Sequence, residues 1–213
     1  MNTSEKVAKL LLEIRAVSLN PKKPFRYASG ILSPVYTDCR ILMSYPKQRR
    51  QIRNFYIVKI KKLRKVDLIA GTSTAGIPHA SWIADKLFLP MVYVRGSAKD
   101  HGKGNQIEGL VKRGQKAVVV EDLISTGESA VTTAKAVREA GAKVDHVITI
   151  TTYGMKKSED NFKNNKLKLI TLTTFQDVVS QALKMGYINK EEMSIILEWI
   201  KDPPSWGKRM GFE

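Results

Sequence analysis

Two adjacent carboxylates, Glu121 and Asp122, stand between an apolar run and a hydroxyl-rich bend. The run is Val118-Val119-Val120, and the bend is Leu123-Ile124-Ser125-Thr126-Gly127-Glu128-Ser129. Successive valines read as a parallel strand buried on both faces, and the acids are expected at its tip. After Ser129, Ala130, Ala134 and Val137 recur on one helical stripe. A bend of N–H and hydroxyl groups running into a helix N-terminus is a seat for a phosphate, because free amides and the helix dipole both favour an anion there. The carboxylates do not suit that phosphate. They suit sugar hydroxyls, or Mg²⁺ carried in on the same ligand.

Two further stretches have the residue types for polyanion chemistry. Gly71-Thr72-Ser73-Thr74-Ala75-Gly76 is small throughout, so its backbone can approach a diphosphate and offer successive N–H groups. It lacks the lysine-hydroxyl ending of a P-loop. The segment 95–109 is long, polar and dotted with glycines. It carries Arg95, Lys99, His101 and Lys103, all able to donate to phosphate oxygens. A structureless loop of that length inside a compact α/β pattern reads as a lid.

The elements that would position these residues alternate in type. Thr3 or Ser4 can cap a first helix with Val7, Leu10, Leu11 and Ile14 on one face, ended by Asn20-Pro21. Residues 25–38 read as two short strands around a Ser-Gly turn. Pro46 opens a basic amphipathic helix with Ile52, Phe55, Tyr56, Ile60 and Leu63 at helical spacing. Strands then follow at 66–70, 91–94, 117–120, 144–151 and 167–172, and helices at 77–87 and 129–140, with Gly141 as C-cap. Residues 161–168 read as an exposed turn. The tail is helical, capped by Thr174 and by an Asn189 to Glu192 capping box, and stopped by Pro203-Pro204. Such alternation implies a parallel sheet covered on both faces, with ligands beyond the carboxyl ends of its strands.

Composition narrows the class. The 213 residues suit one compact domain, and no apolar run approaches the roughly 20 residues of a membrane span. With no signal-peptide core among residues 1–20, the expected compartment is the cytoplasm. Cys39 is the single cysteine, read as a buried hydrophobe. The net charge of +16 attracts anions generally, and much of it lies in the acid-free segment 47–65, read as a solvated helix face.

Three pieces together resemble one family. Phe25-x-x-Ala28-Ser29-Gly30-x-x-Ser33-Pro34-Val35-Tyr36-x-Asp38-x-Arg40 resembles the base-binding hood of orotate phosphoribosyltransferases. Arg95, Lys99-Asp100-His101-Gly102 and Glu108-Gly109 resemble their catalytic lid. Glu121-Asp122-Leu123-Ile124-Ser125-Thr126-Gly127 resembles their motif for 5-phosphoribosyl 1-diphosphate (PRPP), in the short bacterial and archaeal form. The resemblance implies an α/β protein with the type I phosphoribosyltransferase fold: a parallel central sheet flanked by helices, with a small N-terminal hood. It divides the chain into a first helix and hood (1–45), a core (46–175) and a helical tail (176–213).

It also implies a reaction. The phosphoribosyl group of PRPP passes to orotate, giving orotidine 5′-monophosphate and diphosphate in pyrimidine biosynthesis. Mg²⁺ is bound mainly through PRPP, with no dedicated protein ligands. The implied catalytic residues are Lys99, His101 and Asp122. The implied PRPP site comprises Thr72, Ser73, Thr74, Arg95, Lys99, His101, Glu121, Asp122, Leu123, Ile124, Ser125, Thr126, Gly127, Glu128 and Ser129. Of Glu128, only the N–H is expected to face the ligand. Ser125, Tyr36 and Arg40 are the implied orotate contacts. Thr151-Thr152-Tyr153-Gly154 lacks the arginine that long forms use for the orotate carboxylate, so Arg40 or backbone amides of the hood are expected to serve instead. A homodimer is implied in which the lid reaches the neighbouring subunit's site, with neither membrane nor nucleic acid as partner. Transfer to another base, and an RNA-binding regulator built on the same fold, are the competing readings.

Overall fold

Alternate residues of the valine run feed two separate cores. Val118 and Val120 pack in one apolar cluster with Tyr56, Ile83 and Val178, whereas Val119 packs in another with Ala134, Val137 and Phe162. Only a strand covered on both faces can divide its side chains this way. The computed structural model describes residues 1–96 and 106–212.

In chain order the elements begin with α1 (Thr3–Glu13), β1 (Val17–Leu19), β2 (Phe25–Arg26), β3 (Leu32–Ser33) and β4 (Val35–Thr37). A 3₁₀ turn (Cys39–Ser44) leads into α2 (Pro46–Ile60). The alternating part holds β5 (Leu68–Thr72), α3 (Gly76–Leu87), β6 (Met91–Val94), β7 (Ile107–Glu108), β8 (Lys116–Ile124), α4 (Glu128–Glu139), β9 (Lys143–Thr152), α5 (Lys156–Asn164) and β10 (Lys168–Thr171). The tail is α6 (Phe175–Lys184), α7 (Lys190–Trp199) and α8 (Pro203–Arg209).

One six-stranded sheet, ordered β10-β9-β8-β5-β6-β7, forms the centre. It is parallel, as expected, apart from the short edge strand β7, which runs antiparallel to β6. Helices cover both faces, and among the described residues none is long and apolar enough to cross a membrane. The hood consists of two small antiparallel pairs, β1 with β4 and β2 with β3. The Ser29-Gly30 turn joins β2 to β3, with Gly30 in the left-handed region at φ +87° and its N–H donating to the Tyr27 carbonyl. Cys39 is buried as expected.

Several sequence expectations need correction. The central strand does not stop at Val120. Pairing with β9 continues through Glu121↔Thr149, Leu123↔Thr151 and Ile124↔Thr152, so both acids lie within β8. The neighbouring strand satisfies the backbone there, whatever the polarity of the side chains. The first helix ends at Glu13, before Asn20-Pro21, where Arg15 turns left-handed at φ +57° and the chain enters β1. Its cap is Asn2, in a capping box with Glu5. Ser4 donates instead to Thr173 Oγ1 (2.9 Å) and Asp177 Oδ2 (2.6 Å), tying α1 to α6.

The expected exposed turn at 161–168 is largely the end of α5. Burial of Ser158 and Phe162 one turn apart is enough to dock this otherwise polar helix. The helix after the Asn189 cap ends at Trp199, before Pro203-Pro204, as expected; the prolines then open α8, which was not expected, because proline at the first helical turn loses no intrahelical bond. The capping box at Asn189 and the Thr174 cap are both present.

Candidate active site

The loop 71–76 and the acid-bearing strand meet at van der Waals distance. A Cβ placed on Gly76, the first residue of α3, would stand 2.5 Å from the Val120 carbonyl oxygen and 3.4 Å from Glu121 Oε1. The missing side chain lets the start of α3 lie directly on β8 beside the acids. In the same loop the Ser73 N–H donates to the Val94 carbonyl (3.1 Å), and the Ser73–Thr74 peptide is cis. Thr72 Oγ1 and Ser73 Oγ are the buried side-chain polar atoms without a hydrogen-bond partner among the described residues. Buried hydroxyls are normally paired, so two orphans in one loop point to a polar group that arrives from outside.

The acid pair is held in an unfavourable state. Burial, then the neighbouring Asp122 charge, pushes the Glu121 carboxyl well above its ordinary pKa. Burial likewise raises that of Asp122. The Asp122 N–H donates to Glu121 Oε1 (3.1 Å) and the Leu123 N–H to Asp122 Oδ1 (2.8 Å). From the basic helix α2, the buried Tyr56 hydroxyl donates to the Glu121 carbonyl at 2.6 Å, so α2 fixes the strand that carries the acids. A buried and a half-buried carboxylate side by side suit hydroxyl donors or a cation brought in on a ligand. Among the described residues, no three His, Cys, Asp or Glu side chains converge as a metal cluster. As hard oxygen donors, the Glu121 and Asp122 carboxylates would fit a Mg²⁺ carried in on a ligand.

Beyond the acids, Gly127 takes φ +79°, and a Cβ on it would stand 2.7 Å from Phe162 Cε2. This turn sets the N-terminus of α4, which makes no side-chain cap hydrogen bond, as α3 makes none. The first amides of α4 remain available to an anion, whereas in α3 the Ile77 N–H already donates to the Thr74 carbonyl at 3.3 Å. Asn161 Nδ2 donates to the Thr126 carbonyl (2.9 Å), bracing the bend from α5. The Glu128 carboxylate is paired with Lys157 Nζ at 2.6 Å. At the stem of the 95–109 loop, the Arg95 N–H donates to the Gln106 carbonyl, and Arg95 Nη1 lies 3.8 Å from Glu108 Oε1. Lys99 and His101 lie outside the described residues.

A cavity of about 700 Å³ opens beside the bend. The hood contributes Tyr27, Ser29, Tyr36 and Thr37, the bend contributes Ser125 and Thr126, and Tyr153 stands between them. Tyr36 and Ser125, expected together, line the same space. Arg40 does not line it; its guanidinium is held by Asp38 through Nε–Oδ1 (2.7 Å) and Nη2–Oδ2 (2.9 Å).

Sequence reasoning missed the other side of the cavity. It is built from Met155, Lys156 and Lys157 at the start of α5 and from Trp199 to Pro204 in the tail. Trp199 packs edge-on to Tyr27 and Tyr153, at 6.3 Å and 5.3 Å between ring centroids. These rings come from positions 27, 153 and 199, and no local pattern links them.

His79 on α3 lies behind this site, with its ring 6.0 Å from that of Tyr56 and 5.3 Å from that of Trp82. Burial lowers its pKa to about 4. The folded protein keeps the ring neutral, whereas the unfolded chain protonates it near pH 6.5. Its contribution to stability is therefore complete above pH 6.5 and is lost as pH falls from there toward 4, by about 3 kcal/mol in total. His79→Gln should flatten that acid limb in thermal melts. Parallel melting profiles for parent and variant across this range would refute the assignment.

Comparison with known proteins shows the family. The phosphoribosyl transferase domain family matches residues 47–185. The chain is 52% identical to the orotate phosphoribosyltransferase of Enterococcus faecalis over 206 residues, covering 96% of this chain and 98% of that protein. It is 49% identical to that of Listeria monocytogenes over 209 residues, covering 98% and 100%. The crystal structure of orotate phosphoribosyltransferase from Aeropyrum pernix superposes with a TM-score of 0.73 at 26% identity, covering 86% of this chain and 99% of that one. Alike along nearly its whole length to two such proteins, and sharing the fold of a third, this chain belongs to the orotate phosphoribosyltransferase family.

Proposed function

We propose that this chain transfers the 5-phosphoribosyl group of PRPP to N1 of orotate, releasing diphosphate. The observation that carries the proposal is the pair of buried hydroxyls, Thr72 and Ser73, without a hydrogen-bond partner among the described residues, beside an acid pair whose charged forms burial disfavours. A phosphorylated sugar with a diphosphate at C1 answers both needs at once. Its diphosphate takes the hydroxyls and amides of residues 71–76, its ribose hydroxyls donate to Glu121 and Asp122, and its 5′-phosphate sits on residues 125–129 at the start of α4.

In the reaction, the C1–oxygen bond to diphosphate breaks as the N1–C1 bond forms, and the N1 proton is released. Positive charge develops on the ribose ring, where the Asp122 carboxylate stabilises it. Arg95, with Lys99 and His101 assigned from sequence, takes the charge developing on the leaving diphosphate. Glu121 and Asp122 lie where a Mg²⁺ brought in with PRPP would be held, and it would supply charge neutralisation there. Tyr36 and Ser125 hold the base in the cavity beside C1, so the reactants meet in a fixed geometry. A homodimer with the lid acting across subunits, in the cytoplasm, completes the reading.

The test is an absorbance assay of orotate with and without PRPP and Mg²⁺, paired with diphosphate release. Orotate consumption is expected only when all components are present. Consumption of uracil or adenine but not orotate would overturn the choice of base. RNA binding that persists at physiological salt, with no transfer, would favour a regulator instead.

A further inference from the structure

The charged side chains that line the base cavity are all of one sign. Among the described residues they are Lys156, Lys157 and Lys201; no carboxylate lines the cavity itself, although each lysine has an acidic neighbour outside it, and the remaining polar lining is hydroxyl and phenol. A neutral base would gain nothing from this arrangement, whereas an acceptor bearing a carboxylate would find counter-charge at the cavity wall.

The three lysines are not equivalent. Lys157 is committed to Glu128 on the neighbouring helix, at 2.6 Å, and so links the cavity wall to the bend. Lys156 makes only local pairs along its own helix, at 3.1 Å to Asp160 and 3.5 Å to Glu159, with 77% of its side chain exposed. Lys201 pairs with Glu198 one turn back, 67% exposed. Exposed pairs of this local kind are weak and exchange readily for a better anion.

Lys201 owes its position to the tail. Trp199, two residues earlier, is fully buried, and its indole N–H donates to the Leu32 carbonyl of the hood at 3.1 Å. A second buried indole, Trp206, anchors α8, and Gly207 packs so closely on Leu32 that a Cβ there would come within 2.9 Å of Leu32 Cδ1. The tail is thereby fastened to the hood on both sides of Ile200, Lys201, Pro203 and Pro204, which line the cavity. Arg40, the sequence-based candidate for this role, is already taken by Asp38.

We propose that Lys156 and Lys201 together form the seat for the acceptor's carboxylate, which makes the C-terminal tail a specificity element of the base site. This rests on orotate being the acceptor. The test uses the full-length chain with Lys156→Met, Lys201→Met and the double variant, and measures KM separately for orotate and PRPP. Loss of one charge-assisted contact should raise KM for orotate about 5- to 20-fold in each single variant, and more in the double. KM for PRPP should stay within about twofold, and Lys→Arg at either position should restore most of the loss by keeping the charge. A double variant whose KM for orotate equals the parent's would overturn the proposal. An effect from Lys156 alone would overturn the part given to the tail. Equal rises in both KM values with a lowered Tm would mean that the lysines act only on the fold, which also overturns it. If the parent protein leaves orotate untouched, the functional reading fails first, and the two failures are distinguishable.

Discussion

Asp122→Asn is expected to lower kcat/KM by about 10²- to 10³-fold while raising the melting temperature at pH 8. On the proposed function, the activity loss follows from removing the carboxylate assigned to the developing ribose charge, an effect of the size seen when one preorganised electrostatic group is lost. The stability gain follows from the site's own electrostatics. Asp122 and Glu121 both carry raised pKa values because burial disfavours their charged forms, and Asp122's charge adds to the penalty at Glu121. A carboxyl whose pKa is raised by folding costs stability above that raised pKa. The cost fades as pH falls through it toward the unfolded value. An asparagine keeps the acceptor for the Leu123 N–H without the charge. The gain should be about 0.5–2 kcal/mol, the usual size for relieving a functional site, and should shrink on acidification. Melts of parent and variant at pH 8 and pH 5 decide it. A variant less stable than the parent at pH 8 would show that the pair is not held under strain.

The second large effect is expected at Gly76. Alanine there would bring its Cβ to 2.5 Å from the Val120 carbonyl oxygen, a backbone atom that no side-chain rotation can clear. The start of α3 would have to lift off β8, carrying residues 71–76 away from Glu121. Overpacking of this kind costs about 1–3 kcal/mol or more, which is about 3–10 °C in Tm for a chain of this size. Activity should fall further than stability, because the hydroxyl loop and the acids would no longer share one ligand. Gly96→Ala is the control. Among the described residues nothing lies within 4 Å of a Cβ at that position, and its backbone is not in the left-handed region, so its Tm should stay near the parent's. Equal melting temperatures for Gly76→Ala and Gly96→Ala would sink the close-packing argument.

Legibility in the sequence followed the range of the interactions involved. Val118 to Val120 announced a strand buried on both faces because two-sided burial demands apolar residues in succession, and the two cores bear this out. The hydroxyl bend and the glycine loop were readable because tight turns near phosphates need small residues at fixed spacing. The extent of β8 was not readable. Glu121 and Asp122 look like strand breakers, yet Thr149 and its neighbours on β9 continue the ladder past them. Helix α5 was missed for a related reason. One buried aromatic, Phe162, holds it, and its other residues read as a solvated turn.

By itself, the sequence determined the alternating α/β order, the acid pair beside an anion seat, and the hood motif with its Ser-Gly turn. Each is encoded by neighbours within about fifteen residues, through periodicity, capping and turn chemistry. Only the tertiary structure decided that Trp199 would bridge to Leu32, that Arg40 would be taken up by Asp38, and that Lys156 and Lys201 would stand on one cavity wall. Those placements depend on how α5 and the tail dock against the hood, and docking is set by the shapes of whole faces, which no short stretch of the chain contains.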